Sequence, residues 1–211
     1  MIVVHHLNNS RSQRVLWLLE ELGIEYEIKY YERDAQTMLA PASLYQIHPL
    51  GKSPVITDAD LTIAESGAII EYIVDRYGNG RLIPALGTPE RLRYTYWLHY
   101  GEGSAMPPLV MKVVFKHFGK GDSGAQDAFI APQIKLHYDY VEGELRKSTW
   151  FVGEEFTAAD IQMSFPLEML VQLPEQVENR PKIKEFVERI HARPAYKRAL
   201  ERGGAYDLTK F

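Results

Sequence analysis

The chain has no cysteine among its 211 residues. That excludes a disulfide framework, a thiolate metal site and a redox couple built from the protein's own thiols, and it is consistent with a cytoplasmic protein. Long apolar runs are lacking too. Hydrophobic residues make up 45% of the chain, enough for a sizeable core, yet no stretch reaches the length of a membrane span, so no membrane partner is expected. The Met1-Ile-Val-Val start has no basic n-region and no cleavage site, so it reads as the lead-in to a first strand and not as a signal peptide. Neither sign of charge dominates. The 24 Lys and Arg against 28 Asp and Glu leave a net charge of −4, which disfavours nucleic acid and anionic membranes as partners. No internal repeat is visible. The Gly119–Gly124 stretch follows no strand and does not end in Gly-Lys-Ser/Thr, so it is expected to be a surface loop and not a phosphate cradle. No metal is expected: His5 and His6 are adjacent in a strand pattern, so they face opposite sides and lack a third ligand, and at least one reads as a satisfied interior histidine.

What is present alternates between two periodicities. Ile2–Leu7 reads as a strand. From about Ser12 to Leu22, Val15, Leu18, Leu19 and Leu22 fall on one helical face, with Gly23 as the stop. Ile24–Tyr31 alternates as a second strand, and Leu39–Gln46 reads as a short helical piece. Val55–Asp58 and Leu61–Ile63 flank a turn. A helix then opens at Glu65-Ser66-Gly67, with Ile69, Ile70, Ile73, Val74 and Tyr77 in register and Gly78 beyond them. Breakers cluster at Tyr77-Gly-Asn-Gly80, Pro84 and Gly87-Thr-Pro89. Past them no convincing strand appears. Pro89–Tyr100, Ala131–Leu145, Ile161–Val171, the Ile183–Ile190 face and Ala195–Leu200 all read as helix. Thr157-Ala-Ala-Asp160 resembles a capping box with Asp in place of Glu, so Asp160 is expected to be a structural cap and not a catalytic acid.

The most informative segment is Pro49-Leu50-Gly51-Lys52-Ser53-Pro54-Val55-Ile56, followed by Ala64-Glu65-Ser66. A proline directly before a β-branched run belongs at a strand start, and a cis bond at Ser53-Pro54 would turn the Val55 backbone outward to pair with an extended peptide. Glu65 and Ser66 at a helix N-terminus form a receptor for an amino acid head group: free N–H groups and the hydroxyl hold a carboxylate, and the Glu65 carboxylate holds an ammonium. With these residues the chain resembles the cytosolic glutathione S-transferase family. The likeness runs over nearly the whole chain, including Gly153-Glu-Glu-Phe-Thr-Ala-Ala-Asp160 and Ala192-Arg-Pro-Ala-Tyr196.

The resemblance implies a thioredoxin-like βαβαββα domain over 1–79, a linker over 80–88 and an all-α domain over 89–211. It implies glutathione as co-substrate, with Pro54 and Val55 on the cysteinyl backbone and Glu65 and Ser66 on the γ-glutamyl end. Lys52 or His48 is the expected clamp for the glycyl carboxylate. In the loop Asn8-Asn9-Ser10-Arg11-Ser12, Ser10 takes the position from which family members point a hydroxyl or thiol at the glutathione sulfur. Ser12, Asn9 and Arg11 are the other candidates. No tyrosine stands near this loop, so the tyrosine-type classes fit less well than a serine-type, bacterial- or fungal-like class. The residue chosen must favour thiolate over thiol, because the thiolate is the nucleophile.

An electrophile pocket is expected near the sulfur, between the two domains. Its candidates are Tyr100, Ser104, Met106, Met111 and Phe115, where glycines leave space and Met and Phe supply adaptable apolar walls. Phe118 belongs to the same run. The resemblance further implies a homodimer. Tyr94, Trp97 and Tyr100 are large aromatics of the kind interfaces favour, the alternative being that they fill the core of the helical domain, and Tyr100 and Glu102 fall within reach of the partner's glutathione. The expected reaction is attack of glutathione thiolate on a small apolar electrophile. Two alternatives stand beside it: a glutathione-dependent peroxidase or disulfide reductase at the same site, and a non-catalytic ligand-binding member of the fold.

Overall fold

The computed structural model describes every residue except 35, 119–122 and 211, with no side chain described at 117, 118, 123, 125–127 or 210. The chain divides into two compact units. One comprises Met1–Ile83 with His191–Asp207, the other Pro84–Ile190 with the segment from Leu208.

In the first unit, β1 (Ile2–Leu7), β2 (Tyr26–Tyr31), β3 (Val55–Asp58) and β4 (Leu61–Ala64) form one sheet in the order β2-β1-β3-β4. The β1/β2 pair is parallel, and the β1/β3 and β3/β4 pairs are antiparallel. Helix α1 (Ser12–Leu22) crosses between the parallel strands, and α2 (Ser66–Tyr77) follows β4. Both helices match the bounds expected from their apolar spacing. Strand β2 starts two residues later than expected. The α1 helix ends on Gly23 at φ 62, and the Ile24 N–H folds back to the Leu19 carbonyl at 3.0 Å, so Ile24 caps the helix and is not free to begin a strand. The expected helical piece from Leu39 is a 3-10 turn, Ala42–Gln46, because Pro41 stands extended at its N-cap and disfavours helix at the residue before it.

The all-α domain expected over 89–211 is not one contiguous unit. Helix α9 (Pro194–Gly203) packs on α1 within the first unit. The Tyr196 ring meets Trp17 edge-on at 5.2 Å. Arg193 grips Glu21 with Nε at 2.6 Å and Nη2 at 2.9 Å, while Arg198 Nε and Arg202 Nη1 reach Glu20 at 2.8 and 3.0 Å. The helix can settle this closely because it ends in a glycine. A Cβ on Gly203 would stand 2.8 Å from Leu16 Cδ1 and 3.0 Å from Gln13 Oε1.

The second unit is helical: α3 (Pro89–Tyr100), α4 (Met106–Phe118), α5 (Ser123–Leu145), α6 (Ala158–Leu170), the short α7 (Pro174–Val177) and α8 (Pro181–Ala192). Thr88 caps α3 by accepting the Arg91 N–H at 3.1 Å. Between α3 and α4 lies one π-helical stretch, Gly101–Ala105. Pro107 and Pro108 follow it, and their missing N–H groups remove two rungs from the α ladder at that point. Helix α5 begins eight residues before the expected Ala131 and carries Pro132 inside it. Of the expected Gly119–Gly124 loop, 119–122 lie outside the described residues, and Ser123 and Gly124 open α5.

The core of this unit is aromatic. Trp97 meets Phe151 at 4.5 Å, Phe151 meets Phe186 at 5.1 Å, and Tyr94 is wholly enclosed. Tyr94 and Trp97 are therefore core residues of their own chain and are not available as anchors for a dimer. Asp160 is the cap expected of it. Fully buried, it accepts the N–H groups of Phe151 and Thr157 at 2.9 and 2.8 Å and completes a capping box. No helix among the described residues is long and apolar enough to cross a membrane.

Candidate active site

The register of the sheet brings three segments to one end. Val55, the first residue of β3, pairs with His5 near the close of β1 on one side and with Ala64, the last residue of β4, on the other. The loop after β1, the turn before β3 and the N-terminus of α2 thus share that end. The Ser53–Pro54 bond is cis, as the sequence suggested. The Ser53 hydroxyl donates to the His5 carbonyl at 3.0 Å and ties this turn to β1. Pro54 and Val55 are buried, Lys52 is exposed, and His48 is half-buried with Nδ1 accepting the Leu50 N–H at 3.4 Å.

At the α2 N-terminus Glu65 is exposed and adopts φ 72, ψ 119, a conformation that a side chain rarely takes and that clusters at ligand clamps. Its side chain makes no capping bond, so it does not satisfy the first N–H groups of the helix. Ser66 is buried, and its Oγ accepts from Nη1 of Arg14 at 3.3 Å. Arg14 is itself 1% exposed. A cation so enclosed sets a positive field beneath the place where a carboxylate would dock, and by occupying a lone pair of Ser66 it leaves the hydroxyl proton free to point at that carboxylate. Sequence reasoning missed Arg14. The signal was there: it lies four residues before Leu18 on the buried stripe of α1, where a charge is the anomaly to explain.

Ser10, Ser12 and His6 form a buried chain. Ser10 Oγ and Ser12 Oγ are 2.7 Å apart, and Ser12 Oγ is 2.8 Å from Nδ1 of His6. Ser10 Oγ also accepts the Ser12 N–H at 3.2 Å, so it does cap α1 in addition to whatever else it does. His6 makes a further hydrogen bond to the Gly203 backbone that favours its protonated form, and burial nevertheless pushes it down to about 4. His5 bonds Tyr31 through Nδ1 at 3.0 Å, so both histidines are interior and partnered. Among the described residues no group of three or more metal-ligating side chains gathers.

The loop carrying Ser10 is held from two sides. The Arg33 guanidinium donates to the carbonyls of Asn8 and Asn9 at 3.3 Å each and to that of Met38 at 2.9 Å. Asn9, at φ 50, accepts the Asp207 N–H on Oδ1 at 2.7 Å, which leaves its amide NH2 as the only group it could offer the sulfur as a donor. Burial and then the neighbouring Arg11 hold Arg33 below its ordinary range. Ser10 thus stands at the N-terminus of α1, in a loop whose backbone Arg33 grips and whose next residue is Arg11, and positive charge in that loop favours an anion there.

The candidates for the electrophile pocket separate. Ser104 and Met111 line a cleft of about 240 Å³ between α4 and α5, together with Gly103, Pro107, Phe129 and His137. The Tyr100 hydroxyl meets His137 Nδ1 at 2.9 Å at its edge. Met106 is buried in the core and Phe115 is exposed, and neither lines this cleft. The Phe118 side chain lies outside the described residues. On another face of α4, Leu109, Val113, Met169, Leu173 and Leu208 border a smaller cleft of about 100 Å³.

Comparison with known proteins shows the family. Residues 1–75 match the model of the glutathione S-transferase N-terminal domain, and 106–194 match that of the C-terminal domain. Glutathione S-transferase 3 of Schizosaccharomyces pombe is 35% identical over all of this chain and 91% of its own length. Among solved structures, a glutathione S-transferase of Actinobacillus pleuropneumoniae is 38% identical, with a TM-score of 0.87 over 100% of this chain and 97% of that one. A glutathione transferase family member of Pseudomonas fluorescens, solved with two glutathione bound, is 25% identical with a TM-score of 0.81 over 95% and 92% of the two chains. The chain belongs to the glutathione S-transferase family.

Proposed function

We propose that the chain ionises the thiol of glutathione at Ser10 and directs the thiolate at small apolar electrophiles. One observation carries this reading: the Ser10 hydroxyl sits at the N-terminus of α1, inside a loop pinned by Arg33 and flanked by Arg11. A thiolate arriving there gains a hydroxyl partner, a helix dipole and the positive charge of that loop. Glu65 and Ser66 take the γ-glutamyl end, the Val55 backbone takes the cysteinyl unit, and Lys52 or His48 takes the glycyl carboxylate. The apolar electrophile is seated against the helical unit, where Ser104 and Met111 border the cleft between α4 and α5.

The decisive experiment has two arms. Turnover is measured with glutathione and, in turn, an aryl halide, an organic hydroperoxide and a small disulfide. The pKa of bound glutathione is then followed by its thiolate absorbance in wild type and Ser10→Ala. Activity toward the aryl halide and a raised thiol pKa in the variant are expected. If the pKa stays put in Ser10→Ala and moves in Arg11→Ala, the sulfur belongs to a different residue.

Disulfide reduction is the second reading, favoured by the Pseudomonas fluorescens relative with its two glutathione molecules. This chain has no cysteine to form a mixed disulfide. Two glutathione molecules would supply both thiolates: the first attacks the disulfide and releases one thiol, and the second resolves the mixed disulfide to release the other thiol and oxidised glutathione.

We also propose a cytoplasmic homodimer. Exposed Leu92 and Tyr96 on α3 and Val110 and Val114 on α4 give apolar surface within one helical unit, in place of the buried Tyr94 and Trp97. The absence of cysteine suits a reducing compartment.

A further inference from the structure

The chain Ser10–Ser12–His6 can be wired in two directions, and in each every proton in it has an acceptor. His6 presents Nδ1 to Ser12 Oγ at 2.8 Å. Its other nitrogen therefore makes the bond to Gly203, and because that bond favours the protonated ring it runs from Nε2–H to the carbonyl. In a neutral His6 the proton is thus on Nε2 and Nδ1 is an acceptor. Ser12 faces two acceptors, the Leu7 carbonyl at 3.2 Å and Nδ1 of His6 at 2.8 Å, and spends its single proton on the nearer one, Nδ1, which has no other donor. Its oxygen accepts the Leu7 N–H at 3.3 Å and is left one lone pair, which Ser10 fills by donating across the 2.7 Å gap. Ser10 accepts the Ser12 N–H at 3.2 Å and keeps one lone pair unused. In this state Ser10 has no proton to offer a thiolate. It has a lone pair to offer a thiol.

We infer that His6 and Ser12 are positioning residues that invert the polarity of Ser10 when glutathione ionises, the thiol proton passing through Ser10 and Ser12 to Nδ1 of His6. The inference rests on the assignment of Ser10 to the sulfur. The step balances. The S–H proton goes to Ser10 Oγ, the Ser10 proton goes to Ser12 Oγ, and the Ser12 proton goes to Nδ1. No proton leaves the site and no net charge is created: a thiolate forms at one end and an imidazolium at the other. Every group remains satisfied afterwards. The imidazolium donates from Nδ1 to Ser12 and from Nε2 to Gly203, Ser12 donates to Ser10, and Ser10 now donates to the sulfur. The same hydroxyl that could only accept becomes the donor that holds the thiolate.

The surroundings suit this. A neutral ring is what an acceptor must be, and burial keeps His6 neutral in the free chain. Around it stand the Tyr30 ring from β2, edge-on at 6.1 Å, Ser12 from α1, and the Gly203 backbone from α9. The thiolate created at the far end is then the new charge that draws the proton inward. Gly203 fixes the tautomer, so the end of α9 sets the starting direction of the relay. Nothing in the spacing of His6, Ser10 and Ser12 betrayed this, because strand alternation says which face His6 takes and not what it meets there.

The test is nitrogen-15 NMR of the His6 ring in the full chain, free and saturated with glutathione or with S-methylglutathione. Glutathione should turn His6 from the neutral Nε2–H tautomer to the imidazolium. S-methylglutathione has no thiol proton and should leave it neutral. A ring that stays neutral with glutathione bound as thiolate overturns the inference. Variants give a second readout. Ser12→Ala and His6→Gln should leave glutathione bound and lower its thiolate-to-thiol ratio at neutral pH by roughly tenfold, one pKa unit. If Ser10→Ala lowers the thiolate fraction while Ser12→Ala does not, the relay is wrong and Ser10 stands. If glutathione binds and Ser10→Ala also has no effect, the assignment of Ser10 is itself wrong.

Discussion

A hydroxyl at a helix N-terminus and a carboxylate in a strained turn are ordinary groups, and they become a receptor through what lies behind them. Ser66 is aimed by Arg14, whose Nη1 holds its oxygen at 3.3 Å. Glu65 is held out of helical geometry at φ 72. Removing either should cost glutathione one polar contact, about 1–3 kcal/mol. We expect Ser66→Ala and Glu65→Ala to weaken binding by that amount in calorimetry with unfolding temperatures little changed. Unaltered affinity in both would remove the γ-glutamyl assignment.

Asp160 shows the same logic turned to stability. Asp160→Ala strands the buried N–H groups of Phe151 and Thr157, at a cost of about 2–4 kcal/mol. Burial outweighs those hydrogen bonds and raises its carboxyl from 3.8 to about 7. Folded chains therefore hold a proton that unfolded chains release between those values. The contribution of Asp160 is full below the unfolded pKa and is lost as pH rises through the folded one. Between about pH 5 and pH 8 the wild-type melting temperature should fall relative to that of Asp160→Asn; parallel profiles for the two would contradict this.

At the scale of elements, the contact of α9 on α1 is sensitive to a single atom. A methyl on Gly203 meets Leu16 Cδ1 at 2.8 Å. Gly203→Ala should destabilise by about 1–3 kcal/mol, as overpacking does. Chemical denaturation checks it, and a variant as stable as wild type would mean that α9 shifts freely. This contact also marks where sequence reading stops. Helices α1 and α2 were legible to the residue, because their apolar spacing and their flanks are local properties. The Pro54 turn and the Glu65-Ser66 pair were legible as chemistry for the same reason. Helix α5 was read too short, since Pro132 looks like a breaker until tertiary packing overrules it. The return of α9, the burial of Arg14 and the partner of His6 depend on residues far apart in sequence, and periodicity carries no information about which face meets which. Tyr94 and Trp97 could be read either as interface anchors or as core, because large aromatics serve both, and only burial decides for the core.

For the molecule as a whole, the exposed apolar residues of α3 and α4 make the assembly testable. Light scattering across a dilution series should give twice the 24.2 kDa chain mass, and Leu92→Glu with Val114→Glu should halve it. A wild-type mass of one chain at all concentrations would refute the dimer. The division of the chain has a different consequence, one of timing. Residues 191–207 complete the unit that residues 1–83 begin. Synthesis runs from the amino end, and domains generally close in that order. Here the order is reversed: once residue 190 has been made, α3 to α7 and nearly all of α8 are present, while α1 still lacks its α9 partner. A nascent chain at that stage shows Trp17 without Tyr196, and Glu20 and Glu21 without their arginines. The unit whose synthesis begins first therefore closes only after most of the other unit has been made.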